Sequence, residues 1–281
     1  MRGVLIAGCG YLGQTVADLF HNVGWEVEAW TMSSQSAQAL SGKAYPIYAV
    51  DISDVGQVSA RPGSFETVIH CASTRGGDAD LYRCVYLIGV RNLVERFAES
   101  RILFTSSTSV YGQTNGEWVT ESSPAQPRHE TGKILCATEQ LVLDRDGIVA
   151  RLAGIYGPGR SYLLKRFLSG EAVLDPNNDR FVNQVHRDDA AAAFLLLLDR
   201  QARGIYNVVD NQPILQSECY RWLVSKLNRP EPPSGASAWK RKRGRSNKRV
   251  SNAKLRALGW SLRYPTFADA MNNSILSSFE L

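Results

Sequence analysis

The sequence predicts an α/β fold in which a doubly wound parallel sheet carries helices on both faces and is followed by a small C-terminal lobe. Short apolar strands alternate with helical segments up to Leu152, an order that builds a parallel sheet with right-handed connections. The first strand leads directly into a glycine-rich turn and then a helix. Beyond Leu152 the pattern becomes irregular, which indicates a separate, smaller lobe.

The individual elements follow from the spacing of apolar residues. Predicted strands cover residues 4–7, 26–30, 47–50, 67–72, 102–105, 147–152, 180–185 and 205–209. Predicted helices cover residues 14–22, about 80–100, about 132–143, 163–168, 189–198, 216–227, 253–258 and 267 onward.

The turn after the first strand contains Gly8, Gly10 and Gly13. Gly8 can make the tight turn, Gly10 lets the backbone approach a pyrophosphate, and Gly13 lets the helix pack close to the strand. The N–H groups at the start of the helix direct partial positive charge toward such a ligand. The turn therefore predicts dinucleotide binding by Gly8, Gly10, Tyr11, Leu12 and Gly13. The alternative is a turn whose glycines serve only close packing.

The residues at the end of the second strand help to distinguish an NAD site from an NADP site. An acidic residue there would bond the ribose hydroxyls of NAD, but residues 30–34 read Trp-Thr-Met-Ser-Ser. Because no carboxylate would repel a 2′-phosphate and Ser33 and Ser34 could donate to one, NADP is slightly preferred over NAD. Ser33 could instead cap the next helix. Further cofactor contacts are predicted just after the third strand, at Asp51 and Ile52, and at the end of the fourth, at Cys71 and Ala72.

Composition favours a soluble globular protein, with 44% hydrophobic and 21% charged residues. No apolar stretch is long enough to cross a bilayer, and the first strand begins too early for a signal peptide. The five cysteines are scattered without C-x-x-C pairs, which indicates buried thiols in a reducing compartment. We therefore expect a cytoplasmic protein with no membrane contact and no metal site.

The net charge of +5 is concentrated in one segment, because seven basic and no acidic residues lie between Lys240 and Arg249. The segment could be a solvated loop, a site for an anionic substrate or a nucleic-acid patch. Trp239 alone is too little aromatic interleaving for a stacking platform. A solvated loop is thus preferred for residues 240–245, and a nucleic-acid partner is disfavoured.

Four further stretches carry a family resemblance: residues 106–112 (Ser-Ser-Thr-Ser-Val-Tyr-Gly), 151–160 (Arg-Leu-Ala-Gly-Ile-Tyr-Gly-Pro-Gly-Arg), 185–189 (Val-His-Arg-Asp-Asp) and 206–208 (Tyr-Asn-Val). In order and spacing they resemble extended short-chain dehydrogenase/reductases of the NAD-dependent epimerase/dehydratase type. The resemblance covers nearly the whole chain. It implies a Rossmann domain over residues 1–154, completed by about 186–209, and a substrate lobe over 155–185 and 210–281. It also implies that a homodimer can form through a four-helix bundle.

In that family a tyrosine phenol relays a proton during hydride transfer, and a lysine four residues later lowers the pKa of the phenol. A Ser or Thr three residues before the Val-Tyr-Gly motif orients the reacting oxygen, and Ser107 matches it. Aligning the tyrosine–lysine motif on Glu139 puts Thr131 at the tyrosine position and Leu135 at the lysine position. A threonine hydroxyl is too weak an acid for that relay, so the usual acid–base pair is predicted to be missing.

Neighbouring residues offer weak substitutes for the pair. Lys133 is two residues from Thr131 and points to a different side of a helix. His129 and Glu130 titrate in a useful range, although residues of this kind more often cap a helix or lie on the surface. Tyr111, in the Val-Tyr-Gly motif, remains a catalytic candidate.

The resemblance also implies an anionic substrate, since family members commonly act on nucleotide-diphosphate sugars or related carbonyl compounds. Guanidinium groups fit phosphate and carboxylate oxygens, so Arg160 and Arg249 are candidate ligands, with surface ion pairs as the alternative. The predicted substrate residues are Tyr156, Arg160, Asn183, His186 and Arg249. Packing is an equally open role for His186.

Two functions follow. The first is an NAD(P)-binding oxidoreductase or epimerase/dehydratase that acts on a nucleotide-sugar-like or other anionic carbonyl or alcohol substrate. The second is a cofactor-binding, non-catalytic redox sensor or scaffold, which Thr131 and Leu135 favour.

Overall fold

The computed structural model describes residues 2–74, 76–236 and 246–279. Its strands are β1 (Gly3–Ala7), β2 (Glu26–Thr31), β3 (Ile47–Ala49), β4 (Thr67–His70), β5 (Arg101–Ser107), β6 (Glu117–Val119), β7 (Ile148–Leu152), β8 (Gly154–Tyr156), β9 (Phe181–Val182), β10 (Gln184–His186), β11 (Gly204–Val208), β12 (Ile214–Leu215) and β13 (Lys248–Val250). The basic residues 240–245 lie outside the described part of the chain, so the expectations for them stay predictions.

The α-helices are α1 (Tyr11–Asn22), α2 (Ser34–Ala39), α3 (Val55–Ala60), α4 (Ala79–Tyr82), α5 (Gly89–Arg96), α6 (Glu130–Leu143), α7 (Tyr162–Leu168), α8 (Arg187–Asp199), α9 (Gln216–Leu227), α10 (Ala253–Ala257) and α11 (Phe267–Ala270). A π-helical segment, Arg83–Ile88, joins α4 to α5, and a second one, Met271–Ile275, continues α11. Single 3₁₀ turns lie at Thr108–Val110 and Leu276–Ser278.

Seven parallel strands form the central sheet in the order β11-β7-β5-β4-β1-β2-β3. Every residue of β4 and β7 and four of the five in β1 are buried, as expected for strands covered on both faces. The strand order reverses between β1 and β4, and ligands of such sheets bind at the carboxyl ends of the strands near this point. The predicted doubly wound α/β fold is confirmed.

Two compact units divide the chain. The first takes in Met1–Val110, Ala125–Arg151 and Ala191–Tyr206, and the second takes in Tyr111–Pro124, Leu152–Ala190 and Asn207–Leu281. The second unit has its own apolar core, which includes Tyr156, Leu164, Phe167, Tyr220, Leu223, Phe267 and Ile275. The functional domain boundaries given above stay a prediction.

One expectation about a single element was wrong, and another was incomplete. The strand predicted over residues 180–185 is two strands, β9 and β10, because the amide of Asn183 between them bonds to β13. Its Nδ2 donates to Lys248 O at 2.9 Å, and its Oδ1 accepts from Val250 N at 2.8 Å. The helix predicted over residues 80–100 contains the π-helical segment, which the apolar spacing did not reveal. No helix of the described chain has the length and apolar character needed to span a membrane.

Candidate functional site

The glycine turn shows why two of its positions require glycine. Gly8 has a φ of +109°, and a Cβ there would lie 2.2 Å from the backbone nitrogen of Ala72. A Cβ at Gly13 would lie 2.1 Å from Gly8 O. Contacts this short are sterically impossible, so the turn must pass against the chain after β4, and α1 must pack against the turn.

Gly10 differs from the other two glycines of the turn, because a Cβ built there meets no described atom within 4 Å. Its conformation is extended, with a φ of −90°, so neither packing nor strain requires glycine. Gly10 is the N-cap of α1 and has no side chain with which to cap the helix, and Tyr11, Leu12 and Gly13 form its first turn. An open backbone surface at the positive end of a 12-residue helix fits a pyrophosphate.

The other predicted cofactor residues lie at the same edge of the sheet. The Oδ1 of Asp51 accepts from Ser53 N and Ser53 Oγ at 2.9 and 2.7 Å. Ile52 is buried, and its carbonyl accepts from the side chain of Asn92 at 2.9 Å.

Cys71 and Ala72 directly follow β4, and Cys71 N donates to Ala7 O at 2.8 Å. Burial raises the pKa of the Cys71 thiol. Ser33 caps α2, since its Oγ accepts from Ser36 N at 3.3 Å and donates to Ser36 Oγ at 3.0 Å. The capping alternative named for Ser33 is therefore realised.

Ser107 is the last residue of β5 and is partly exposed. Its Oγ accepts from Ser109 N at 3.1 Å, which fixes the oxygen and leaves its proton for a further acceptor. Ser106 is buried and points elsewhere, because its Oγ donates to Glu139 Oε1 at 2.5 Å. Of the two adjacent serines, Ser107 is thus the one with a hydroxyl available at the end of the strand.

Glu139 is the centre of a buried network that joins three elements of the first unit. Its carboxylate also accepts from Arg151 Nε at 3.0 and 3.2 Å and from Arg151 Nη2 at 2.6 Å. Both side chains are only 4% exposed. The network therefore fixes α6 against β5 and β7. This role of Glu139 has no signal in the sequence motif, because it depends on contacts with two other elements.

The N-terminal half of α6 contains Thr131 and Leu135, the residues that the family resemblance aligns with the tyrosine and the lysine of the acid–base pair. Thr131 is partly exposed, and Leu135, one turn later, is 3% exposed and apolar. Lys133 is exposed and pairs with Glu130 at 3.6 Å, and Glu130 also pairs with Arg83 at 3.5 Å. Lys133 is therefore engaged on the outer side of the helix.

Tyr111 belongs to the second unit and is completely buried. Its hydroxyl donates to Asn207 Oδ1 at 2.8 Å, and its carbonyl accepts from Lys248 Nζ at 3.0 Å. The phenolic proton of Tyr111 is thus already held by an amide oxygen.

Tyr156 and His186 lie in the core of the second unit, at 1% and 0% exposure. Burial raises the pKa of Tyr156 and lowers that of His186 to about 4. His186 Nδ1 accepts from Asp188 N at 3.2 Å, so the proton is assigned to Nε2, which lies 3.0 Å from Ser274 Oγ. The His186 ring, 4.0 Å from that of Tyr264, is therefore a neutral, packed imidazole.

Arg249 and Arg160 are the two predicted anion-binding arginines. The Arg249 guanidinium lies 5.2 Å from the Trp118 ring and 5.0 Å from the Phe181 ring, and its Nε donates to Gly116 O at 2.7 Å. Arg160 is exposed in a tight turn closed by backbone bonds to Gly157. Arg160, Asn183 and Arg249 all lie in the second unit, and the described hydrogen bonds of Asn183 and Arg249 join them to backbone groups of that unit.

Lys248 should make stability depend on pH. It is 4% exposed, and burial lowers its pKa to about 8 from an ordinary value of 10.5. Between these values the unfolded chain binds more protons than the folded chain, so the contribution of Lys248 to stability should rise with pH across this window. The difference in unfolding free energy between wild type and Lys248→Met, measured in urea, should change by roughly 1–3 kcal/mol from pH 7.5 to 10.5. If the difference in unfolding free energy stays constant across this pH range, the prediction for Lys248 is contradicted.

The parallel sheet with its order reversal and glycine turn defines an α/β protein of the Rossmann type. The chain belongs to the NAD dependent epimerase/dehydratase family, whose sequence model matches residues 4–209. It is 29% identical to protein YeeZ of Escherichia coli K12 over 279 residues, which covers 94% of this chain and 97% of YeeZ. The family resemblance proposed from the sequence motifs is thereby confirmed.

Solved structures agree with this family. A provisionally assigned NAD-dependent epimerase/dehydratase from Methylobacillus flagellatus superposes with a TM-score of 0.78 at 28% identity, covering 96% of both chains. A UDP-glucose 4-epimerase from Thermus thermophilus, solved in complex with NAD, superposes with a TM-score of 0.80 at 21% identity, also covering 96% of both chains. At that identity the second similarity bears on the fold alone.

Proposed function

We propose that this protein is an NAD(P)-dependent oxidoreductase or epimerase/dehydratase that acts on a nucleotide-sugar-like or other anionic carbonyl or alcohol substrate. The observation that carries the proposal is the contrast within the glycine turn. Gly8 and Gly13 are required by packing, whereas Gly10 faces open space at the start of α1. That contrast is what a backbone approach to a pyrophosphate requires, and family membership supports the same conclusion.

The dinucleotide would supply hydride exchange at a substrate carbon. Gly10, Tyr11, Leu12 and Gly13 would hold its pyrophosphate, and Asp51, Ile52, Cys71 and Ala72 would provide further contacts at the strand ends. Ser107 would hold the reacting oxygen of the substrate by donating its free proton. NADP is the preferred dinucleotide in this proposal because β2 ends without a carboxylate; Ser33 is engaged as a cap, so Ser34 is the hydroxyl left to meet a 2′-phosphate.

The direct test combines binding and turnover. NADPH and NADH are titrated by fluorescence, and the protein is then mixed with each reduced dinucleotide and a panel of nucleotide sugars and simple carbonyl compounds. Oxidation is followed at the absorbance band of reduced nicotinamide, and parallel samples with NAD⁺ are analysed by chromatography for epimers and dehydration products. Binding with conversion supports the proposal, and absence of binding contradicts it. Binding without any conversion favours the non-catalytic sensor.

Replacing Ser107 with alanine should lower turnover of the best panel substrate by about 100-fold, because removing one donor to a reacting oxygen costs this much. Affinity for NADPH should be unchanged, since Ser107 contacts the substrate oxygen in this proposal. Steady-state rates and fluorescence titration measure the two effects. Unchanged turnover would remove Ser107 from the site, whereas loss of a measured turnover excludes the sensor.

The cytoplasmic location, the homodimer and the substrate residues Tyr156, Arg160, Asn183, His186 and Arg249 remain proposals. For Asn183 and His186 the hydrogen bonds described above support a structural role within the second unit. Arg160 is the most accessible of the five.

A further inference from the structure

We propose that Tyr82 supplies the phenol that relays the proton in this site. The inference rests on the proposed function and extends it, because it replaces the tyrosine that position 131 lacks. Tyr82 lies in no recognised motif and is the last residue of α4. Four observations in the first unit place it where the relay is needed.

The first observation is that the C-terminal end of α4 lies beside the N-terminal end of α6. Arg83 Nη2 lies 3.5 Å from Glu130 Oε1, and Glu130 is the first residue of α6. Tyr82 precedes Arg83, and Thr131 follows Glu130. The phenol-bearing residue is therefore at the level of α6 at which the family tyrosine would stand.

The second observation is a row of rings that leads from the sheet to Tyr82. The ring of Tyr86 lies 6.2 Å from that of Phe104 in β5, and the ring of Tyr82 lies 4.9 Å from that of Tyr86. A helix that connects two parallel strands runs antiparallel to them, from their carboxyl ends toward their amino ends. Tyr82 comes one turn before Tyr86 in the helix, so it lies closer to the carboxyl end of β5. That end is Ser107, three residues beyond Phe104.

The third observation is that Tyr82 is only 5% exposed. Its ring therefore occupies the interior beside the sheet and does not extend into solvent. A tyrosine side chain is several ångströms longer than that of threonine, so it can reach from α4 toward the place that Thr131 cannot fill from α6.

The fourth observation is that the segment after Tyr82 is anchored to the sheet. Residues Arg83–Ile88 are π-helical, and His70 Nε2 lies 3.2 Å from the carbonyl of Val85 within this segment. Burial lowers the pKa of His70 to about 4, so the imidazole is neutral and donates to that carbonyl. The last residue of β4 thus holds α4 in register with the sheet, and π-helical turns of this kind are frequent at functional sites.

The proton balance of the step is complete. The substrate carbonyl carbon gains a hydride from the reduced dinucleotide, its C=O π pair moves to oxygen, and that oxygen takes the proton of Tyr82 while Ser107 donates a hydrogen bond to it. The products are the alcohol, the oxidised dinucleotide and a phenolate, which regains its proton from water. A phenol is a far stronger acid than an aliphatic hydroxyl, which is why Tyr82 can do what Thr131 cannot.

The test compares Tyr82→Phe with Tyr86→Phe, which loses the same hydroxyl from the adjacent ring. Protein labelled with [ζ-¹³C]tyrosine is titrated with NADP⁺, and the signal absent from Tyr82→Phe is assigned to Tyr82. This signal should shift on binding because the cationic nicotinamide approaches the phenol. Turnover of the best panel substrate should fall at least 100-fold in Tyr82→Phe and less than threefold in Tyr86→Phe, with NADPH affinity unchanged in both.

The outcomes separate this inference from the proposed function. If NADP⁺ binds but the Tyr82 signal does not move, or if Tyr82→Phe turns over like wild type, Tyr82 is not the relay and the proposed function stands. If equal losses occur in both variants, the rings act through packing and the inference fails. If neither NADP⁺ nor NAD⁺ binds, both proposals are overturned.

Discussion

Replacing Gly10 with alanine should weaken NADPH binding at least tenfold while changing the unfolding free energy by less than about 1 kcal/mol. The added methyl group meets no described atom within 4 Å, so the fold tolerates it. It would, however, stand between the backbone and a pyrophosphate, which needs close approach to the turn. Fluorescence titration with NADPH and urea denaturation measure the two quantities on one preparation.

Gly8→Ala is the matched control from the same turn. Its methyl group would be forced into the backbone of Ala72 at a φ of +109°, so we expect stability to fall by several kcal/mol. Binding and folding would then be lost together. Wild-type NADPH affinity in a well-folded Gly10→Ala protein would show that no pyrophosphate approaches Gly10, and it would remove the observation that carries the proposed function.

Replacing Glu139 with alanine should lower the unfolding free energy by about 3–5 kcal/mol. The change leaves the guanidinium of Arg151 buried at 4% exposure without its carboxylate and removes the acceptor of Ser106. Urea denaturation followed by far-UV circular dichroism gives the measurement. The double variant Glu139→Leu with Arg151→Met removes both charges and should recover most of the loss. If the double variant is as unstable as Glu139→Ala, the damage comes from lost packing and not from an uncompensated charge.

The central sheet could be predicted from sequence because its strands are buried on both faces. Such strands appear as short apolar runs, and the runs predicted near residues 4–7 and 147–152 correspond to β1 and β7. The glycine turn was also predictable, since the spacing of the glycines alone indicates that Gly8 and Gly13 are needed for steric reasons. The capping role of Ser33, in contrast, was one of two alternatives that spacing could not separate.

Several features depend on contacts that a local pattern does not contain. The π-helical segment is bonded to His70 through the carbonyl of Val85, and Asn183, between β9 and β10, is bonded to the backbone of β13. The sequence motif contains two adjacent serines, and only the structure shows that Ser106 is the buried one and is bonded to Glu139. Tyr82 has no motif, and the nearest sequence signal would have been the spacing of four residues between it and Tyr86.

The pairing of β6 with β13 affects the order in which the protein folds during synthesis. These strands align in parallel from Lys248 opposite Glu117, although about 130 residues separate them, and within the described chain β6 has no other ladder partner. During synthesis β6 leaves the ribosome long before β13, and every strand of the central sheet is complete by Val208. The nascent chain therefore carries an unpaired strand until β13 has been synthesised, and unpaired strands are templates for wrong association. The second unit therefore completes its fold only after every strand of the central sheet has been synthesised.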